Sequence, residues 1–258
     1  MDVLAINRPE PTIWNRPPFV LSWNTLHSLQ RRCIRGAERT SAGAAPPWVE
    51  SGPHGEPFDF TAATAELCAD ICRHTPELNH IRTHQVLFGF TQARNGRGHG
   101  LQARVTPLRF PGGHLVKQAR GRLFQVQRFV VNNEEMLYLM SFCLPRFLNQ
   151  SFDEKFVTIF HELFHIGPQF DGDLRRHRGR YCLHTHSKAG YDVRMAEYAR
   201  NYLAAGANPR LHGFLRLDFS QLRRRHGQVV GTILPRAKIL PLPLEETQQL
   251  ERSASRRD

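Results

Sequence analysis

Residues 151–168 constrain the fold more than any other stretch, because they spell out one helix from first cap to last turn. Ser151-Phe152-Asp153-Glu154 reads as a capping box. The serine hydroxyl and the glutamate carboxylate each satisfy a backbone donor that the first turn leaves open. Asp153 and Glu154 also place negative charge at the positive end of the helix dipole. Phe156, Ile159, Phe160, Leu163 and Phe164 recur at helical spacing and demand a core on one side. Gly167-Pro168 supplies the stop: glycine accepts a left-handed C-terminal conformation and proline cannot continue the helix.

Within that helix lies His161-Glu162-Leu163-Phe164-His165. Residues four apart sit one turn apart and about 40° from each other around the axis, so both imidazoles reach the same point. Glu162 projects about 100° from His161, beside such a point rather than under it. Two imidazoles with a neighbouring carboxylate are two thirds of a catalytic zinc site, the glutamate serving as general base to a zinc-bound water. Histidine makes up 14 of the 258 residues, so the pentapeptide alone is a weak pattern and the bounded helix gives it meaning. A core helix with merely hydrogen-bonded histidines is the competing reading; it leaves Glu162 beside a buried face without a reason.

A third ligand is expected downstream, where residues 171–192 hold His177, His184, His186, Asp171, Asp173, Asp192 and Cys182. His177 sits within Arg-Arg-His-Arg, whose cations oppose its approach to a dication. His184 and His186 flank a single threonine, so an extended segment presents both on one side. Either can ligate while the other meets substrate or a carboxylate. Asp192 suits a role in orienting a ligand histidine through its second nitrogen.

The run His-Glu-Leu-Phe-His-Ile, then Phe-Asp-Gly-Asp-Leu-Arg-Arg-His-Arg-Gly-Arg, then Leu-His-Thr-His-Ser resembles a family of small zincin-like metallopeptidases from bacteria and phage. The similarity covers residues 58–205 and is sharpest over 160–192. It implies a minimal zincin fold, one Zn2+ ion, and a ligand histidine after the Gly-Asp-Leu-Arg-Arg stretch, which on this chain falls on His184. Zincins of another kind take a glutamate from a downstream helix, so Glu197 ranks behind His184 and His186. The reaction so implied is metal-assisted hydrolysis of an amide bond in a peptide or protein substrate. Glu162 moves the proton, and Tyr181 or Tyr191 donates to the developing oxyanion. A strand near the helix would align an extended peptide, with residues 121–131 the choice.

The net charge of +12 and pI near 10.2 favour non-specific affinity for nucleic acid or another polyanion. Only four of the 35 basic residues are lysine, however, and no nucleic-acid module accompanies the scattered arginines. An inactive zincin-like domain that binds such a polyanion is the alternative function. No run of about 18 apolar residues exists, which predicts no membrane span. Five cysteines without framework spacing, and a start lacking a basic then apolar stretch, predict reduced thiols in the cytoplasm.

Along the chain, residues 1–57 read as a partly ordered Pro/Gly-rich extension, with a short helix near Trp23 to Cys33. Residues 58–240 read as the catalytic domain and 241–258 as a disordered basic tail. A helix is predicted from Phe58 to His74, capped by Asp59 or Thr61. Strands follow over 84–93, 101–110, 121–131 and 136–143, with turns at 95–98, 111–113 and 132–135. A second helix covers 192–204 and a last strand 229–235. The fold class expected is α+β: a small, mostly antiparallel sheet packed on an N-terminal helix and the His-Glu-x-x-His helix.

Overall fold

Asp59 starts the first helix by accepting the Ala62 amide on Oδ1 at 3.1 Å, and α1 then runs Phe60–His74. The computed structural model describes residues 18–37, 43–93, 100–176 and 188–243. Before α1 come β1 (Val20–Trp23), β2 (Arg31–Cys33) and β3 (Phe58–Asp59). After it come β4 (Val86–Gln92), β5 (Ala103–Pro107), β6 (Val116–Ala119), β7 (Arg122–Val126), β8 (Arg128–Val131), β9 (Glu134–Met136) and β10 (Tyr138–Leu144). The C-terminal part holds α2 (Phe152–Phe164), α3 (Lys188–Ala204), α4 (Pro209–His212), α5 (Phe219–His226), β11 (Val229–Thr232) and β12 (Ile239–Pro241). The fold is mixed α+β, and among the described residues five of eight strand pairings are antiparallel.

The sheet nearest α2 has the order β4-β10-β5. β10 pairs with β4 in parallel, from Tyr138↔Val86 to Leu144↔Gln92, and with β5 antiparallel. The parallel pair is a departure within the expected, mostly antiparallel arrangement. A parallel return needs a long crossover, and residues 93–137, which carry five other strands, provide it. Both strands of the pair are almost wholly buried, as their near-continuous apolar sequences Val-Leu-Phe-Gly-Phe and Tyr-Leu-Met-Ser-Phe-Cys-Leu suit.

Other boundaries shift for local reasons. Residues 121–131 form two strands in different sheets, broken at buried Gln127, whose side chain donates to the Pro18 carbonyl and whose amide donates to Lys238. Asn132 and Asn133 both take positive φ, 51° and 61°, and make a two-residue hairpin turn. Glu134 therefore already belongs to β9. The expected short helix near Trp23 to Cys33 is reduced to a single 3-10 turn at Leu26–Ser28, between β1 and β2, which pair with β8 and β11. Ile34 and Val49 lie in the main core. The boundary expected at residue 57 thus falls within a sheet, since β3 pairs with β11 as β2 does. Of the expected basic tail, residues 244–258 lie outside the described residues. No helix among the described residues is long and apolar enough to cross a membrane.

Buried Phe156, Ile159, Phe160, Leu163 and Phe164 seat α2 against the core. Lys155 shares the burial, at 1 % exposure, because its Nζ donates to the carbonyls of Leu215 and Leu217 at 2.9 and 2.8 Å. Burial pulls its pKa from 10.5 down to about 8, with Asp218 opposing. The folded protein thus sheds this proton before the unfolded chain does. The resulting stability is fully present above the unfolded pKa and is lost as pH falls through the folded one. Lys155→Met is expected to cost about 2–4 kcal/mol by orphaning two carbonyls. The wild-type advantage should grow by about 2 kcal/mol between about pH 7 and about pH 9.5. Denaturant unfolding of both proteins across that range checks both numbers.

Candidate active site

Both arms of the capping box form. The Glu154 amide donates to Ser151 Oγ at 3.3 Å, and the Ser151 amide donates to Glu154 Oε2 at 2.8 Å. The other end departs from expectation. α2 stops at Phe164, with His165 as its C-cap, and Gly167 is not left-handed. Glycine is needed there for close approach: a Cβ would stand 2.7 Å from the Asp173 carbonyl oxygen, which the Gly167 amide already bonds at 3.1 Å. The positive φ values fall instead at Phe170 and Gly172, inside a loop closed by the Ile166↔Leu174 bridge. That loop brings the chain back to the helix end. The Arg175 amide donates to the His165 carbonyl at 2.7 Å, and Arg175 Nε donates to the Phe164 carbonyl at 2.8 Å. The guanidinium also lies 4.0 Å above the Phe164 ring.

Asp173 holds the loop in shape. It accepts from the amides of Gly112 and Leu174 and from the Arg176 guanidinium. Burial pushes its carboxyl up, but those donors outweigh it and hold the pKa below the ordinary value. The Tyr138 hydroxyl donates to the Asp173 carbonyl at 2.8 Å and accepts the Gly172 amide at 3.0 Å.

The two histidines converge as their spacing predicts. Their Nε2 atoms stand 3.0 Å apart, and their rings meet edge to face at 4.7 Å. α3 packs across them and supplies two neighbours. Asp192 Oδ1 lies 3.2 Å from His161 Nδ1, so the far nitrogen of that ring is held while Nε2 faces His165. The Tyr191 ring stacks on His165 at 5.7 Å and meets the edge of His161 at 4.9 Å. Burial raises the Tyr191 pKa, so its phenol stays protonated at neutral pH.

Glu162 faces β5. Its Oε2 accepts the Val105 amide at 2.7 Å. Gln102 and Leu108 direct their backbone groups towards β10 and its neighbour Leu137, so alternation turns the Val105 amide to the outer edge. Burial lifts the Glu162 pKa to about 7, against the pull of the Val105 bond and of Arg104.

His161, Glu162 and His165 are therefore brought together, with Tyr191 and Asp192 against them. Glu197 lies exposed on α3, about 140° around the helix from Asp192. His177, Tyr181, Cys182, His184 and His186 lie outside the described residues. Among the described residues no group of three His, Cys, Asp or Glu side chains is placed to hold a metal. The strand beside Glu162 is β5, where the sequence pointed to 121–131. The Val105 edge amide and Arg175 carry no sequence signal of their own, since both act through backbone groups that only tertiary packing aligns. No family model, curated protein or solved structure matches the chain.

Gly167→Ala is expected to force Asp173 away and loosen the return loop, at a cost of about 1–3 kcal/mol. Thermal unfolding reads the loss. Hydrogen exchange at the Arg175 amide should rise with it, locating the damage at the helix end.

Proposed function

We propose that this chain is a zinc-dependent hydrolase of peptide (amide) bonds, built as a minimal zincin-like domain. The observation that carries the reading is the meeting of two imidazole Nε2 atoms at 3.0 Å, with Glu162 beside them. Two nitrogens at 2.0–2.1 Å from one tetrahedral zinc stand about 3.3–3.4 Å apart, so the pair fits the ion after a shift of a few tenths of an ångström. Neutral imidazoles are also suitable donors for zinc.

His184 is the proposed third ligand, ahead of His186 and Glu197. Arg175 contacts the His165 carbonyl and Tyr191 packs on both rings, so the described residues flanking 177–187 are anchored at the pair. The resemblance of residues 160–192 to zincin-like metallopeptidases supports the same segment. When bound, zinc supplies Lewis acidity, polarising the scissile carbonyl and acidifying the attacking water.

The chain's own groups do the rest. Glu162 takes the water's proton and hands it to the leaving nitrogen. Asp192 fixes the His161 ring through Nδ1. Tyr191 is the described candidate to donate to the oxyanion, with Tyr181 the other. The outward edge of β5 offers backbone groups that align an extended peptide or protein substrate. The alternative, an inactive zincin-like module for nucleic acid or another polyanion, draws on the +12 charge. It predicts salt-dependent DNA affinity without hydrolysis. The four described cysteines are unbonded thiols, in keeping with a cytoplasmic setting.

Elemental mass spectrometry of the untagged protein should find one zinc per chain, lost in His165→Ala. Glu162→Gln should keep the metal and lose peptide turnover by about 10²–10⁴-fold. His184→Ala and His186→Ala, measured side by side, assign the third ligand by which one loses zinc. No bound metal in the wild type, even after zinc is offered, overturns the proposal.

A further inference from the structure

A second arrangement of catalytic type lies outside the histidine pair. Ser51 Oγ and His226 Nε2 stand 3.1 Å apart, and both residues are buried, at 8 % and 2 % exposure. The other ring nitrogen, Nδ1, lies 3.1 Å from the Glu56 carbonyl oxygen. A carbonyl only accepts, so the Glu56 contact favours the tautomer with the hydrogen on Nδ1, in which Nε2 presents its lone pair. The Ser51 hydroxyl must then donate to Nε2, which leaves its oxygen lone pairs free to attack. Burial and the nearby Arg225 charge both hold the His226 pKa down, so the ring is a neutral base at physiological pH. Phe58 packs on it at 5.2 Å and fixes its plane.

Ser51 borders a cleft of about 470 Å³ lined also by Trp48, Glu50, Gly52, Arg210 and Arg225. Gly52 takes φ +87°, so the chain turns sharply straight after the serine. Arg210 is neutralised by Glu50 at 3.0 Å. Arg225 has no hydrogen-bond or ion-pair partner for its guanidinium among the described residues, and its Nε is buried. A guanidinium lining the same cleft as a serine oxygen is suited to stabilising an oxyanion. Trp48, largely exposed at the lip, offers an apolar face to the rest of a ligand.

We propose that Ser51 and His226 form a second catalytic site, one that hydrolyses small acyl esters in the cleft beside Arg225. Ser51 Oγ bonds to the ester carbonyl carbon as its proton passes to His226 Nε2. The carbon–oxygen bond to the leaving group breaks, and the departing alkoxide takes that proton to become the alcohol. Water then gives a proton to His226 while its oxygen bonds to the acyl carbon. The carboxylic acid leaves and the proton returns to Ser51. The Glu56 carbonyl is a positioning group that never touches substrate.

The test is to treat the full-length protein with an alkyl fluorophosphonate and map the adduct by peptide mass spectrometry. The Ser51 oxygen bonds to phosphorus, fluoride leaves, and His226 takes the proton. One adduct per chain on Ser51 is expected, absent in Ser51→Ala and formed about 10²-fold more slowly in His226→Gln. The same variants should lose hydrolysis of p-nitrophenyl acetate. A folded wild-type protein that stays unlabelled while a serine protease in the same tube is fully modified overturns the proposal. Labelling that persists unchanged in Ser51→Ala overturns it equally.

Discussion

The burial of one face of α2 sets the position of everything around the histidine pair. Phe156, Ile159, Phe160, Leu163 and Phe164 lose nearly all contact with water, and side chains of this kind contribute about 1.5–3 kcal/mol each when buried. Rotating the helix by one residue, about 100°, would expose that stripe and drive His161 and Glu162 into the core. The helix therefore has one acceptable rotation, which turns Glu162 towards β5 and the imidazoles towards α3. Lys155 at the buried side is tolerated only because two carbonyls meet its ammonium. The geometry of the histidine pair is thus a by-product of apolar packing, and the polar groups need contribute little to holding it.

What could be read from the sequence follows the range of each interaction. The capping box, the apolar stripe and the pairing of His161 with His165 all act within one turn or two of a single helix, and each is present. Asp59 capping α1 is of the same kind. Strands were legible as runs of β-branched and aromatic residues, but their partners were not. The parallel return of β10 to β4, and the pairing of β1 and β2 with β8 and β11, depend on segments far apart in the chain. Gly167 shows the limit within one residue. A glycine after a helix suggests a left-handed cap, whereas its lack of a side chain is used here to admit the Asp173 carbonyl.

Arginine placement near the pair is also governed by packing. A guanidinium close to two imidazoles would oppose a dication. Arg175 sits one bond from this region, yet it is tied by Nε to the Phe164 carbonyl and laid over the Phe164 ring. Its charge is spent on the helix C-terminus, where the dipole favours a cation. In a chain with 35 basic residues, fastening Arg175 in this way commits its charge to the helix end. The overall charge of the protein and the charge at the site are separate quantities.

His161 and His226 differ in the group that holds the ring. Each ring is held through Nδ1 and so presents Nε2. For His161 the partner is the Asp192 carboxylate, whose negative charge suits a ring held beside a cation. For His226 the partner is the neutral Glu56 carbonyl, and burial beside Arg225 disfavours any charge on the ring. That ring can borrow a proton during a reaction but not keep one at rest, as a base paired with a serine requires. The Nδ1 partner and its charge, more than the histidine itself, set what an Nε2 atom is suited to meet.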